Sequence, residues 1–362
     1  MSLSALDDVA RPAMKHASAK AFGPTHEVLQ VLDDGRDRPT PGKGELLVRV
    51  LAVSLSGSDW RSMHGDVPGI KKPAKGFPYV PGGDCCSEVV ALGPGVAEFQ
   101  AGDRVVSTWQ VFGEGALAEY ATVKASLSAK LPATVRPEEG AALANSAGHA
   151  LKAVRGAKVK AGDRVLVLGG SGGVGTALVQ LARRAGAAYV ACTTTNGALV
   201  RELGADRVID YRHSSWANDP LLAKEPVDVV FDCAEGEEAW LAALESRAVK
   251  RGKHGGRFVS IHTVWRMLLT SYWDVAKFMA PRLARGPWSA LHRGSAPRHS
   301  FHVEDVDGKV LAEVLQLAGA GQLKVPLDTR GPFPFTTEGV RAAFDLHESH
   351  HARGKVVIKV AD

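Results

Sequence analysis

The sequence predicts an α/β chain of two domains, one built on a doubly wound parallel sheet and the other rich in irregular β structure. Three observations carry this. At 362 residues the chain is longer than one hydrophobic core usually serves. From Asp163 onward, apolar runs of strand length alternate with helical patterns, as in a parallel sheet covered by helices; up to about Lys130, short β-rich runs are broken by Gly and Pro. A glycine-rich turn joins the first alternating strand to the first helix.

Taken in order, the first half offers strands at Glu45–Ser54, Ser87–Leu92, Asp103–Trp109 and Leu117–Val123, which suit an antiparallel or barrel-like domain. The second half offers Arg164–Leu168, a helix to Gly186, Tyr189–Thr193, a helix over Ala198–Leu203, and strands at Arg207–Ile209, Val227–Asp232 and Arg257–Ile261. Ser300–Val303 is the candidate sixth strand of this sheet, a helical pattern runs from Glu304 to about Ala320, and the chain closes on the strand Lys355–Val360. Between them lies a segment at about 264–298, rich in large side chains such as Trp265 and Trp273. Leu268, Tyr272, Val275 and Met279 recur there at helical spacing, which favours a helix packed on the core or a domain interface. A pocket lid and, given Lys277, Arg282 and Arg285, a membrane-surface helix are the alternatives.

Apolar residues at 45% and charged residues at 23% are ordinary globular composition and argue against disorder. A formal charge of +5 and a pI near 9.0 suit an anionic ligand without identifying one. Basic groups such as Lys71, Lys72 and Lys75 lack the interleaved aromatics of a single-strand-binding face, so no nucleic-acid partner is expected. Cys85, Cys86, Cys192 and Cys233 have neither zinc-knuckle spacing nor the density of a disulfide framework, so no metal site is expected and a reducing compartment is. Cys85 and Cys86 read as buried, inert thiols. No run of about eighteen apolar residues occurs, so no integral membrane association is expected. Asp7 and Asp8, without an apolar h-region, do not read as a secretory signal; the cytoplasm is the expected compartment, with a removed organelle presequence left open.

The stretch Val165-Leu-Val-Leu-Gly-Gly-Ser-Gly-Gly-Val-Gly175 runs from an apolar strand into a helix. Gly170, Gly172 and Gly175 satisfy the dinucleotide fingerprint in its strand-turn-helix context, with Ser171, Gly173 and Val174 completing the loop. The three glycines serve a tight turn, close approach of backbone to the diphosphate, and close packing of helix on strand. The second strand ends in Cys192-Thr-Thr-Thr-Asn196, without the acidic residue that holds the ribose hydroxyls of NAD. Thr193, Thr194 and Thr195 offer hydroxyls to a 2′-phosphate there, and Tyr211 follows the third strand, within reach of the adenosine end. NADPH is therefore expected over NADH.

This order of elements, with Asp59-Trp-Arg, Phe77-Pro-Tyr-Val-Pro-Gly-Gly-Asp84, Ala101-Gly-Asp-Arg-Val105 and Gly255-Gly-Arg-Phe-Val-Ser260, resembles the medium-chain dehydrogenase/reductase family over nearly the whole chain. The resemblance implies a Rossmann NADPH-binding domain over 149–320 and a GroES-like catalytic domain formed by 1–148 and 321–362. Alcohol dehydrogenases of that family carry Gly-His-Glu for catalytic zinc where this chain has Gly82-Gly83-Asp84. Arg330-Gly-Pro-Phe-Pro-Phe335 and His350-His-Ala-Arg-Gly-Lys-Val-Val-Ile358 are similar to the zinc-free quinone oxidoreductase branch, which includes plant alkenal/one oxidoreductases and mitochondrial reticulon-interacting NADPH oxidoreductases.

By that resemblance His351, Ala352 and Arg353 approach the cofactor, Ile261 and His262 lie beside it after the fifth strand, and Phe301 approaches the nicotinamide. Ser56, standing where the branch has Asn, and Cys233, after the fourth strand, join this cofactor-binding set. His149 for Thr, Gly83 for Arg and Ala234-Glu235 for Val-Gly are further departures from the branch. The implied reaction is hydride transfer from NADPH to the β-carbon of a small enone or alkenal, or to a quinone, and the implied assembly is a homodimer. His64 and His149 are the candidates for supplying a proton or orienting the reactants, with Tyr79 and Lys72 weaker and solvent a further source. A 2-enoyl thioester reductase and an NADPH-binding protein without turnover are the competing readings.

Overall fold

The computed structural model describes residues 13–65, 76–108, 115–261, 271–302 and 306–362. The described chain opens with an antiparallel hairpin, β1 (His16–Ala19) and β2 (Leu29–Leu32), with the short helix α1 (Thr25–Val28) in its connection. The first large sheet is organised around β3 (Glu45–Ser54), whose alternation puts Leu46, Val48 and Val50 into the core. After it come α2 (Gly57–Met63), β4 (Asp84–Leu92), β5 (Arg104–Ser107), β6 (Tyr120–Lys124) and β7 (Ser128–Lys130). β3 pairs antiparallel with both β4 and β6, β4 with β5, and β5 with β7.

Helix α3 (Pro137–Gly156) then links this sheet to the second. Proline at its first turn needs no amide partner, and a run of small residues lets it lie close to both halves. A Cβ on Gly140 would stand 2.6 Å from Leu131 Cδ1, and one on Gly148 2.6 Å from Val306.

The second half runs β8 (Arg164–Leu168), α4 (Gly173–Arg184), β9 (Tyr189–Thr193), α5 (Gly197–Glu202), β10 (Arg207–Ile209), α6 (Pro220–Lys224), β11 (Val229–Asp232), α7 (Glu237–Glu245), β12 (Arg257–Ile261), α8 (Tyr272–Leu291), β13 (Arg298–His302) and α9 (Gly308–Gly319). Its strands are parallel in the order β10-β9-β8-β11-β12-β13. The winding reverses between β8 and β11, and at such a switch point the strand ends leave a crevice. One sheet face packs Val165, Val167, Phe231 and Ile261 under α3, α4 and α9; the other packs Leu166, Leu168 and Phe258 against Trp216 and Trp240. The chain then returns through β14 (Phe333–Pro334), α10 (Thr337–Glu348) and β15 (Val357–Lys359), the last pairing antiparallel with β3.

Strands β3, β8, β9, β10 and β12 have the limits the sequence predicts. The sixth strand starts two residues earlier than expected, at Arg298, and Val303 and Glu304 lie outside the described residues. Helix α9 starts at Gly308, where the Asp307 side chain caps it by accepting from Val310 N at 2.9 Å. The expected apolar stripe of the 264–298 segment is corrected. Trp265 and Leu268 lie outside the described residues, and Tyr272, 67% exposed, does not share the packed face with Val275 and Met279. The inward face of α8 is set by Phe278, Arg285 and Ser289.

Candidate active site

The turn after β8 is built from close backbone contacts. Gly169 takes φ 82 and its amide donates to Thr193 Oγ1 at 3.0 Å, while Gly170 N donates to Thr193 O at 2.9 Å. A Cβ on Gly175 would lie 2.1 Å from Gly169 O, and one on Gly170 2.7 Å from Cys192 Cβ. At Gly172 an added Cβ would meet only Gly169 O, at 3.5 Å, so this glycine faces open space at the start of α4. The amides of Gly173, Val174 and Gly175 follow in the first turn, where a helix has no carbonyl of its own to offer them. A cradle that a side chain would fill, lined by first-turn amides, fits a dinucleotide diphosphate.

The three threonines separate. Thr193 and Thr194 are buried; the first hydroxyl accepts from the glycine loop, and the second donates to Ser171 Oγ at 2.7 Å and accepts from Asn196 N at 2.9 Å. Thr195 alone of the three is exposed, with Tyr211 also exposed after β10. The guanidinium of Arg201, one turn along α5, comes within 3.2 Å of where a Cβ on Gly197 would stand. This places a cation at the end of β9 that the sequence pattern does not bring to attention, because no basic residue directly follows the threonines.

Along the strand ends, Asp232 is fully buried and pins the turn after β11: its carboxylate accepts from Ala234 N, Glu235 N and Gly236 N at 3.0, 2.8 and 2.8 Å. Cys233 follows, its thiol pushed well up by burial, and Ile261 is buried at the end of β12. His262 lies outside the described residues, as does Lys72. On β13, Phe301 packs with Phe278, Val275 and Met279 of α8. Strand alternation turns its neighbour the other way: His302 reaches α3, where His149 Nδ1 and His302 Nε2 are 3.3 Å apart and both rings are buried. The residue of this strand that meets the linking helix is thus His302.

His64 is elsewhere. It caps α2, packs edge-on to Trp60 and sits 3.5 Å from the Glu348 carboxylate, so the two candidate histidines are not brought together. Tyr79 is buried, its backbone exchanging hydrogen bonds with Ala19.

The other wall of the crevice holds buried charge. Gly354 N donates to Ser171 O at 3.2 Å, which lays the segment from His351 to Gly354 on the glycine loop; there His351 and Arg353 are exposed and Ala352 is half-buried. Lys355 then dives between the halves. A Cβ on Gly173 would touch its Cδ at 2.7 Å, and its ammonium donates to Leu55 O at 2.7 Å. Asp59 joins two turns by accepting from Ser56 N and Oγ at 2.7 and 3.0 Å on one oxygen and from Gly82 N at 3.2 Å on the other. Asp84 accepts from Thr108 Oγ1 at 3.3 Å, and its second oxygen is buried without a hydrogen-bond partner.

Burial lifts the Asp84 carboxyl to about 7, Lys355 pulling it down and Asp59 pushing it up. Burial in turn lowers Lys355, and the two carboxylates hold its charge. Next to them the Cys85 thiol is pushed up to about 11 and Cys86 higher still. Among the described residues no group of three His, Cys, Asp or Glu is placed to hold a metal ion.

Comparison with known proteins decides the family. A model of the alcohol dehydrogenase GroES-like domain matches residues 42–133, and one of zinc-binding dehydrogenases matches 203–358. The chloroplast envelope quinone oxidoreductase homolog of Arabidopsis thaliana is 38% identical over 328 residues, 89% of this chain and 91% of its own. The chain belongs to the medium-chain dehydrogenase/reductase family, in its zinc-independent quinone oxidoreductase branch. The chloroplastic NADPH-dependent alkenal/one oxidoreductase of the same plant is 31% identical over 88% of this chain and 73% of its own. The solved quinone oxidoreductase from Coxiella burnetii superposes with a TM-score of 0.77 at 26% identity, covering 96% of this chain and 99% of the other. The chain is therefore an oxidoreductase of a family that binds nicotinamide dinucleotides. No described helix is long and apolar enough to cross a membrane.

Membership in this branch sharpens what sequence reasoning misses. Lys355 and Asp84 stand in the sequence only as letters in separate motifs; their electrostatic interaction joins residues far apart in the chain, and His302 is paired with His149 across 153 positions.

Proposed function

We propose that this chain is an NADPH-dependent reductase that delivers hydride to the C=C bond of a small α,β-unsaturated carbonyl, or to a quinone, without zinc. The observation that carries the reading is Gly83. At the position where the zinc-dependent relatives place a histidine there is no side chain, and the neighbouring Asp84 is buried, accepts from Thr108 and feels the charge of Lys355. An acceptor already polarised by conjugation needs no metal to draw the hydride.

In this reading, residues 149–320 hold the dinucleotide and residues 1–148 with 321–362 close over it. The bound nicotinamide supplies the hydride. Gly170–Gly175 seat the diphosphate, Thr195 and Arg201 face the 2′-phosphate, and the missing acid at the end of β9 leaves that phosphate unopposed. His351–Arg353 cover the loop, and Ser56 and Lys355 fix the catalytic wall against it. The His149–His302 pair joins the linking helix to the end of β13, one ring nitrogen facing the other across 3.3 Å; it is the proton-bearing group of this reading, and His64 is not.

The test is oxidation of NADPH and NADH by the purified chain with a panel of alkenals, vinyl ketones, quinones and enoyl thioesters. The expected result is turnover with NADPH and a product saturated at its C=C bond. NADPH binding without reduction of any acceptor would replace the reading with that of a non-catalytic binding protein.

A further inference from the structure

Helix α8 is held to the body by one face only. Phe278, Arg285 and Ser289 are buried; Arg285 pairs with Glu237, and Ser289 Oγ accepts from His299 N at 2.9 Å. The opposite face is large and apolar. Tyr272 and Trp273 are each 67% exposed, Leu283 57%, Trp288 40% and Leu291 84%, so this helix alone carries nearly half of the large apolar side chains exposed among the described residues. Exposed Ala276, Ala280, Ala284 and Pro287 fill the space between them at helical spacing, and Lys277 is the one ionisable group within the stripe. A continuous surface of this kind on a folded chain marks an interaction site.

Charge decides what covers it. Residues 271–298 contain Lys277, Arg282, Arg285, Arg293 and Arg298 against a single acid, Asp274, whose carboxylate is taken up by Ser271 N and Oγ at 3.0 and 2.7 Å. Exposed Arg293 and Arg298 flank the end of the helix, with Lys253 beside them through Lys253 N to Arg293 O at 2.9 Å. In a two-fold contact between copies this face would meet itself, bringing cation against cation. Tryptophan and tyrosine beside leucine, edged with lysine and arginine, suit the headgroup layer of an anionic membrane.

We infer that the outward face of α8 docks on the surface of an anionic phospholipid bilayer, with Tyr272, Trp273, Leu283 and Leu291 entering the headgroup layer and Lys277, Arg293 and Lys253 on lipid phosphates. The chain then lies on the membrane without spanning it. This goes beyond the catalytic reading and needs no turnover to be tested.

The full chain is mixed with phosphatidylcholine vesicles, with and without phosphatidylglycerol, and sedimented. It is expected to pellet with the anionic vesicles, to be released by salt, and to lose at least about tenfold in partitioning in the double variant Trp273→Glu, Leu283→Glu, with thermal midpoint and dinucleotide affinity unchanged. Two results overturn the inference: parent chain that stays in the supernatant with anionic vesicles, or a double variant that binds as well as the parent. A parent that sediments as a dimer while the double variant is monomeric would assign the face to a second copy instead, and overturns it too.

Discussion

The two walls of the crevice are made of opposite materials. On the nucleotide side, the loop after β8 is glycine packed on backbone: the added Cβ on Gly175 or Gly170 would sit 2.1 or 2.7 Å from its neighbours. On the catalytic side, Asp59, Asp84 and Lys355 are 1%, 1% and 6% exposed, and the two carboxylates favour the charge on the ammonium. The first wall depends on shape, which pH does not change. The second depends on ionisation, in a setting where each charge is costly unless the others are present. The difference predicts which perturbations each wall withstands.

The largest effect is expected at Lys355. Lys355→Met removes the cation that acts on the buried Asp84 and interacts with Asp59, and stranding a buried charge costs about 3–5 kcal/mol. Urea denaturation of the variant measures this. A loss below about 1 kcal/mol would mean that the cluster is solvated and the charge argument is wrong.

The pH dependence comes next. Asp84 ionises near 3.8 when unfolded and near 7 when folded. Between these values the unfolded carboxyl has lost its proton while the folded one keeps it, so this group's contribution to stability is fully present below pH ~4, falls by on the order of 4 kcal/mol as pH rises towards ~7, and is level above. Two buried imidazoles act against it: His347 and His299, each lowered to about 3 by burial, stay neutral in the fold while their unfolded forms gain protons below about 6.5, so each adds stability as pH rises through the same window; Cys85, raised to about 11, is neutral in both states there. Asp84→Asn removes only the carboxyl's part, so the variant's denaturation midpoint should rise more, or fall less, from pH 5 to pH 8 than the parent's. An unchanged slope would move its origin to another group.

The glycine wall separates fold from binding. Gly175→Ala drives a methyl into Gly169 O and should cost about 1–3 kcal/mol of stability along with dinucleotide affinity. Gly172→Ala meets only Gly169 O, at 3.5 Å, and should leave the thermal midpoint in place while weakening NADPH binding, because its methyl enters the space left for phosphate. Equal losses of stability in the two variants would break the distinction.

This contrast also explains which features are legible in the sequence. The strands β8, β9 and β12 and the glycine loop follow from local pattern, because apolar runs, a turn and a helix start are each written within a few consecutive residues. The cluster at Lys355 is not legible: its ammonium meets Leu55 O across 300 positions, and only the packing of β15 on β3 brings them together. Between these extremes stand the threonines, whose position at the end of β9 is legible while the capture of the Thr193 hydroxyl by Gly169 N is not. Phe301 and His302 differ in the same way, since the facing of a strand residue depends on a parity that local pattern leaves unset when it misplaces the start of β13.

The smallest effect tests the one part of the nucleotide wall that does depend on charge. At the end of β9 the exposed Thr195 and the Arg201 guanidinium are the groups left to meet a 2′-phosphate once Thr193 and Thr194 are occupied. Thr195→Asp places a carboxylate there, which repels the phosphate of NADPH and can accept from the ribose hydroxyls of NADH. About a tenfold weakening for NADPH, or ~1.4 kcal/mol, with NADH unchanged or tighter is the expected outcome in a fluorescence titration. Arg201→Gln should weaken NADPH alone, by a similar factor. If both variants bind the two cofactors as the parent does, the 2′-phosphate is not read at the end of β9, and the preference for NADPH loses its structural basis while the glycine-loop site stands.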